Sequence, residues 1–233
     1  MSEDLKRQAA AMALAEIRPG MRIGLGTGST ARHFVQMLGD KVASGFDCIC
    51  VPTSEATEAQ ARALAIPLSD LDALDGLDVT VDGADEIDPH LNLIKGGGGA
   101  LLREKIVAAA SDAMIVIADS SKLVPTLGRF PLPIEVNAFG LGATRRAIRE
   151  VMAAHDAESG LRQRETEPGV AFRTDGGHLI LDAFFGRISR PEALSRDLLD
   201  IAGVVQHGLF LKMCKTAYVA TPDGVETLTR GTN

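Results

Sequence analysis

Met21-Arg22-Ile23-Gly24-Leu25-Gly26-Thr27-Gly28-Ser29-Thr30-Ala31-Arg32-His33-Phe34-Val35-Gln36-Met37-Leu38 is the stretch that decides the fold. Its first six residues are a short, mainly apolar run with no alternation, the signature of a strand buried on both faces. Residues 29–38 then read as a helix, and glycines at 26 and 28 join the two. A strand that passes through a glycine turn straight into a helix is one step of a parallel α/β repeat.

The repeat continues on both sides. Upstream, Leu5, Ala9, Met12, Ala13 and Ile17 mark a helix over residues 3–17, and Pro19-Gly20 stops it. Downstream, a strand at 46–53, a helix at 54–64, a strand at 77–81, an extended run at 91–95, a helix at 100–110 and a strand at 112–118 follow in turn. The pattern changes at Phe130-Pro131-Leu132-Pro133, whose two prolines mark a boundary. Beyond it come a strand at 134–136, a helix at 142–155, strands at 161–164, 169–174 and 178–185, a helix opened by Pro191, and a strand from about Val204, a compact β-α-β-β-α-β unit. The tail reads as a hairpin around Pro222-Asp223-Gly224 that returns to the main sheet. The expected architecture is therefore α/β: a Rossmann-like, mostly parallel sheet domain (1–130 plus 208–233) carrying a smaller ferredoxin-like α+β domain (131–207).

Composition narrows the function. Of 233 residues, 45% are apolar and 24% charged, ordinary for a chain with a sizeable core, and the formal net charge of −7 disfavours nucleic acid and anionic membrane. No Trp, one Tyr and 4% aromatics leave little for base stacking. The N-terminus, with early acids and no apolar run, is not a secretory signal, and no stretch reaches the length of a membrane span. Cys48, Cys50 and Cys214 lack zinc spacing and read as reduced, buried thiols of a cytoplasmic protein.

Four segments carry chemistry, and each follows a strand of the main sheet, where strand carboxyl ends form ligand crevices. Gly26-Thr27-Gly28-Ser29-Thr30 combines glycines, hydroxyls and a helix start, which suits a phosphate. It also satisfies the dinucleotide pattern G-x-G-x-x-A, but the acid that would confirm that reading is absent: the second strand ends in Val51-Pro52-Thr53-Ser54, and Asp47 precedes that strand. Asp82, Asp85, Glu86 and Asp88 crowd seven residues, which fits carboxyls with raised pKa for proton transfer, a magnesium site, or simply a solvated acidic loop. Lys95, then Gly96, Gly97, Gly98 and Gly99, opens the helix that bears Glu104. Glycine amides forming an anion nest, an ammonium and a carboxylate are the parts that enolate chemistry needs; the plainer alternative makes Glu104 a surface acid paired with neighbouring bases. Asp119-Ser120-Ser121-Lys122 adds a lysine within reach of a phosphate.

Together GTGST, DGADEID, KGGGG followed by LLREK, and DSSK, in this order and spacing, resemble ribose-5-phosphate isomerase of the A type, and the resemblance runs from Leu5 to the C-terminal ATPDGV. It implies interconversion of ribose 5-phosphate and ribulose 5-phosphate through an enediolate, with no cofactor and no metal, in a cytoplasmic homodimer or homotetramer whose partner is a small sugar phosphate. It places the sugar-phosphate loop on Thr27, Gly28, Ser29 and Thr30, and further substrate contacts on Asp82, Gly83, Ala84, Asp85, Lys95, Gly96, Gly97, Gly98, Lys122 and Lys6. It makes Glu104 the general base and gives Asp82, Asp85 and Lys95 supporting catalytic roles. Gly99 departs from the family's usual Ala and is expected to loosen the loop slightly; Leu211–Lys215 does not match well. A sugar-phosphate sensor and a nicotinamide-dependent oxidoreductase are the competing classes.

Overall fold

A computed structural model of the chain describes residues 3–155, 157 and 160–231. These fall into two compact units, Met1–Ala84 with Arg103–Leu123 and Lys212–Asn233, and Asp85–Leu102 with Val124–Leu211.

The first unit is built on a six-stranded sheet in the order Gly224–Thr229, Cys214–Thr221, Met114–Asp119, Val79–Asp82, Arg22–Leu25, Ile49–Pro52. All neighbours run parallel except the last hairpin, which pairs antiparallel around Pro222-Asp223-Gly224 and returns the tail to Met114–Asp119 as the turn residues suggest. Four helices accompany it: α1 (Glu3–Glu16), α2 (Ser29–Ala43), α3 (Glu55–Ala63) and α4 (Leu101–Ala109), the last entering this unit at Arg103. α1 packs on α2 and on the two strands Met114–Asp119 and Cys214–Thr221. Its buried alanines (Ala9, Ala10, Ala13) let it lie close, and Tyr218 Oη fixes its end by donating to Glu16 Oε1 at 2.9 Å. The core between helices and sheet is Ile23, Leu25, Phe34, Val35, Leu38, Val81 and Ile117. Cys48 and Cys50 lie on one side of their strand with sulfurs 3.9 Å apart, and both are buried and free, as is Cys214.

The second unit carries a four-stranded antiparallel sheet, Val204–His207, Leu132–Val136, Leu179–Ala183, Leu161–Gln163, with α5 (Leu141–Ala154) and α6 (Pro191–Leu199). In chain order these strands stand 4-1-3-2, the arrangement of a ferredoxin-like β-α-β-β-α-β unit. Ile134, Val136, Ile148, Met152, Leu181, Leu194 and Leu198 fill the space between sheet and helices. The strand expected at 169–174 is shorter, a two-residue segment Val170–Ala171 paired with Glu165–Glu167 apart from the main four strands. Every residue of Glu165–Glu167 is exposed, as is Val170, so Ala171 is the apolar residue with which this ribbon meets the core of the unit.

The division also differs from the boundaries expected at 130/131 and 207/208. A three-stranded antiparallel sheet, Leu209–Phe210, Leu93–Ile94, Glu86–Ile87, belongs to the second unit, and the Val124 amide donates to Ile87 O at 3.0 Å. These pairings draw 85–102, 124–130 and 208–211 into it. Among the described residues no helix is long and apolar enough to cross a membrane.

Candidate active site

The main sheet reverses its winding at Arg22–Leu25: the next strand in sequence lies on one side of it and Val79–Asp82 on the other. Connections leave such a switch point in opposite directions and open a crevice at the carboxyl ends of the two strands. The Gly26–Thr30 turn and Asp82 occupy those two ends. They are tied together. The Gly26 amide continues the strand pairing to Val81 O at 2.9 Å, and the Thr27 amide donates to Asp82 Oδ1 at 3.1 Å, which also accepts the Gly83 amide at 2.7 Å. A Cβ on Gly26 would sit 2.2 Å from Asp82 Oδ1, so only glycine lets the turn approach this fully buried carboxylate. α2 then begins at Ser29 with Gly28 as its N-cap and no side-chain cap, so no capping side chain takes its first-turn amides.

Thr27 enters the structure differently from the expected phosphate donor. Its hydroxyl donates to Ser54 Oγ at 2.7 Å and lies 2.8 Å from Thr53 Oγ1 and 3.2 Å from Thr57 Oγ1. Thr53 donates to Leu25 O and Thr57 to Gly26 O, so the cluster braces both ends of the turn. With its amide and hydroxyl both committed, Thr27 is part of the scaffold; Ser29 and Thr30 are the more open hydroxyls. The bracing residues were legible as Thr53-Ser54 standing where a dinucleotide fold needs an acid. Their hydroxyls serve the turn, which argues against the dinucleotide alternative.

Glu104 is 4% exposed, in the first turn of α4. Leu101, Glu104, Val107 and Ala108 form the buried stripe of that helix, so Glu104 occupies a core position and not the surface one that a solvated acid takes. α4 runs against the direction of Val79–Asp82. Its end is pinned where the Leu77 amide donates to Ala110 O at 2.8 Å, and Thr80 Oγ1 reaches Val107 O at 3.5 Å. One more helical turn, about 5 Å, carries Glu104 to the level of the strand's carboxyl end and Asp82. Lys105, next to it, is pushed down to about 7 by burial.

The two further lysines expected here differ in setting. Lys6 is buried, and its ammonium donates to Glu3 Oε1 at 2.7 Å, while Glu3 Oε2 lies 2.8 Å from His33 Nε2. Hydrogen bonds from Lys6 first and His33 second hold the Glu3 carboxyl below the usual range. Lys122, half-buried, ends the short 3₁₀ turn Ser120–Lys122, which Asp119 caps by accepting the Ser121 amide at 3.0 Å.

In the second unit the acidic run does not act as a cluster. Glu86 accepts the amides of Gly128 (2.7 Å) and Phe130 (2.6 Å), Asp88 those of His90 and Asn92 (2.8 Å each), and Asp85 that of Gly97 (2.7 Å). Each carboxylate brackets a stretch of backbone. Among the described residues no three His, Cys, Asp or Glu side chains gather as metal ligands. The glycine loop is likewise internally committed: Asp85 takes the Gly97 amide and Gly96 O the Gly99 amide at 3.0 Å, so these two amides are not part of an anion nest. Lys95 is 2% exposed, with its amide on Gly208 O (2.9 Å) and its ammonium 5.5 Å from the Phe210 ring centre. Gly99 does not loosen the loop. It has φ +83°, and a Cβ there would lie 2.3 Å from the Phe172 ring.

Comparison with known proteins agrees with the motifs. The family model described as ribose 5-phosphate isomerase A (phosphoriboisomerase A) matches residues 49–224. The chain is similar to ribose-5-phosphate isomerase A of Rhodopseudomonas palustris strain TIE-1, 60% identical over 228 residues and 98% of each chain. Its structure is similar to a D-ribose-5-phosphate isomerase solved in complex with phospho-erythronic acid (TM-score 0.91, 40% identity, covering 99% of this chain and 100% of that one). It is equally similar to ribose 5-phosphate isomerase from Plasmodium falciparum (TM-score 0.91, 38% identity, 99% and 100% covered).

Proposed function

The chain belongs to the ribose 5-phosphate isomerase A family and interconverts ribose 5-phosphate and ribulose 5-phosphate, a step of the pentose phosphate pathway; from that premise we propose that Glu104 moves the transferred proton through an enediolate. Glu104 takes the proton from the second carbon and returns it to the first. A carboxylate removes so weak an acid only when the new oxyanion is stabilised at once. Asp82 assists opening of the sugar ring as acid or base. The phosphate rests on the amides and hydroxyls of Gly28, Ser29 and Thr30, with Thr27 holding the turn and Lys122 and Lys6 supplying positive charge. Gly83, Ala84, Asp85, Lys95, Gly96, Gly97 and Gly98 are assigned to substrate binding on the motif match alone, Asp85 and Lys95 to orient hydroxyls and balance charge. These steps use side chains and backbone amides alone.

One observation carries it: a carboxylate placed in the apolar stripe of α4, beside the crevice-forming end of the sheet. Burying it there costs free energy that packing does not repay.

The test is Glu104→Gln. Turnover of ribose 5-phosphate should fall by about 10²–10⁴-fold, while affinity for phospho-erythronic acid stays within a few-fold of the parent chain. Near-normal turnover would remove Glu104 as the base.

We also propose a cytoplasmic homodimer or homotetramer, on the resemblance and on the three free, buried thiols, which fit a reducing compartment. Light-scattering mass in solution decides the assembly.

A further inference from the structure

The glycine loop of the second unit is gripped by a side chain far away in sequence. Arg164 Nη1 donates to Gly96 O at 2.7 Å and to Gly97 O at 3.1 Å. The same guanidinium is held from behind by Asp182, through Nε at 3.0 Å and a second bond from Nη2. The side chains of Arg164 and Asp182 are 14% and 9% exposed, so the pair is largely out of water, where a forked Arg–carboxylate contact is stiff and directional. The guanidinium carbon also lies 5.9 Å from the centre of the Phe172 ring, the ring that packs on Gly99. Arg164 thus touches the loop directly at Gly96 and Gly97 and borders it through Phe172 at Gly99.

The folding reason for such a pair is weak. Asp182 sits on the strand Leu179–Ala183 among apolar neighbours, and a well-packed apolar pair of similar volume serves stability as well or better. An arginine, however, has a fork that binds a carboxylate and still has donors left for two carbonyls. Carbonyls turned toward Arg164 fix the peptide planes at Gly96 and Gly97, and so the direction in which the chain leaves Lys95.

We propose that Arg164, locked by Asp182, is a positioning residue for isomerisation: it sets the conformation of the Lys95–Gly99 loop and thereby the placement of Lys95. This rests on the isomerase reading of that loop.

Arg164→Gln tests it. A misplacement of about 1 Å costs on the order of 10²-fold in rate, so kcat/KM for ribose 5-phosphate should fall by that order. Affinity for phospho-erythronic acid should fall in parallel, while competitive inhibition by inorganic phosphate, which draws on Gly28–Thr30, Lys122 and Lys6 and on no residue of this loop, should stay at the parental value. Millimolar methylguanidine should restore part of the rate of Arg164→Ala. In a Lys95→Ala background Arg164→Gln should add little, since the two act through one element. A merely structural arginine would lower the melting temperature without moving these ratios.

A folded Arg164→Gln chain with parental kcat/KM overturns the inference. If that variant does not fold, Arg164→Lys decides: one ammonium cannot hold Asp182 and two carbonyls together, and parental kcat/KM there is equally fatal. Lys95→Ala with parental turnover would instead remove the isomerase reading of the loop. An impaired Lys95→Ala beside a parental Arg164→Gln removes only the positioning role of Arg164.

Discussion

Two glycine-rich turns of this chain look alike in sequence and are built by opposite means. Gly26–Thr30 is held from within its own layer: Asp82 on the adjacent strand accepts the Thr27 amide, Val81 O on the same strand accepts that of Gly26, and hydroxyls from the neighbouring Thr53–Thr57 segment brace Thr27. Gly96–Gly99 is held by side chains that arrive from far along the chain, Arg164 on its carbonyls and Phe172 on Gly99, with Asp85 on the Gly97 amide. In the first turn the amides that open α2 have no side-chain cap, which suits a phosphate. In the second, the Gly97 and Gly99 amides and the Gly96 and Gly97 carbonyls are already engaged. Glycine is needed in both, in one to admit a buried carboxylate and in the other to admit a ring.

The largest expected effect breaks the first turn chemically while sparing its shape. Asp82→Asn keeps an oxygen that accepts the Thr27 and Gly83 amides but cannot exchange a proton at neutral pH. Its kcat for ribose 5-phosphate should drop by about 10²–10⁴-fold, with urea stability little changed; a drop in stability instead of rate would make Asp82 a brace only.

Next comes the second turn. Gly99→Ala places a Cβ at positive φ and against Phe172, which should cost about 1–3 kcal/mol in urea unfolding. Adding Phe172→Leu should recover the steric part. No loss on Gly99→Ala would show that the loop tolerates the substitution by shifting.

Thr27→Val probes the internal bracing of the first turn. It removes the hydroxyl shared by Thr53, Ser54 and Thr57 and should cost about 1 kcal/mol and raise the KM for ribose 5-phosphate. A variant with unchanged stability would separate the cluster from folding.

A last effect is one of pH dependence and concerns Lys105, on the helix that the second loop opens. Burial lowers its pKa from the usual 10.5 to about 7. The unfolded chain holds this proton up to the ordinary lysine range, so between about pH 7 and 10 the unfolded state binds more protons and stability rises with pH. Lys105→Met should therefore raise the melting temperature most at pH 7 and below, with the gain shrinking toward pH 10. A gain independent of pH would mean that Lys105 titrates normally.

Much of this was legible in the sequence because it is local. The strand–glycine–helix step at 21–38, the two prolines at 131 and 133 and the Asp223-Gly224 turn each specify backbone directions over a few residues. Glu104 was legible in part, through its place on the helix that follows the glycine run and through the LLREK match, while its burial, against the surface acid that the sequence left open, came from the fold. Less legible was the fate of the acidic run: Asp85, Glu86 and Asp88 are neighbours in sequence, but each faces a different stretch of backbone amides, so crowding along the chain is not crowding in space.

The order of the main-sheet strands along the chain, the mixed α/β character and the loops that carry reactive groups could be read locally, since periodicity and turn chemistry act within a few residues. That Thr27 belongs to the scaffold, that 85–102 folds with the second unit and that Arg164 grips Gly96 and Gly97 emerged with the folded chain. Those facts depend on hydrogen bonds between residues tens of positions apart, and a donor's choice among distant acceptors is written in no local pattern.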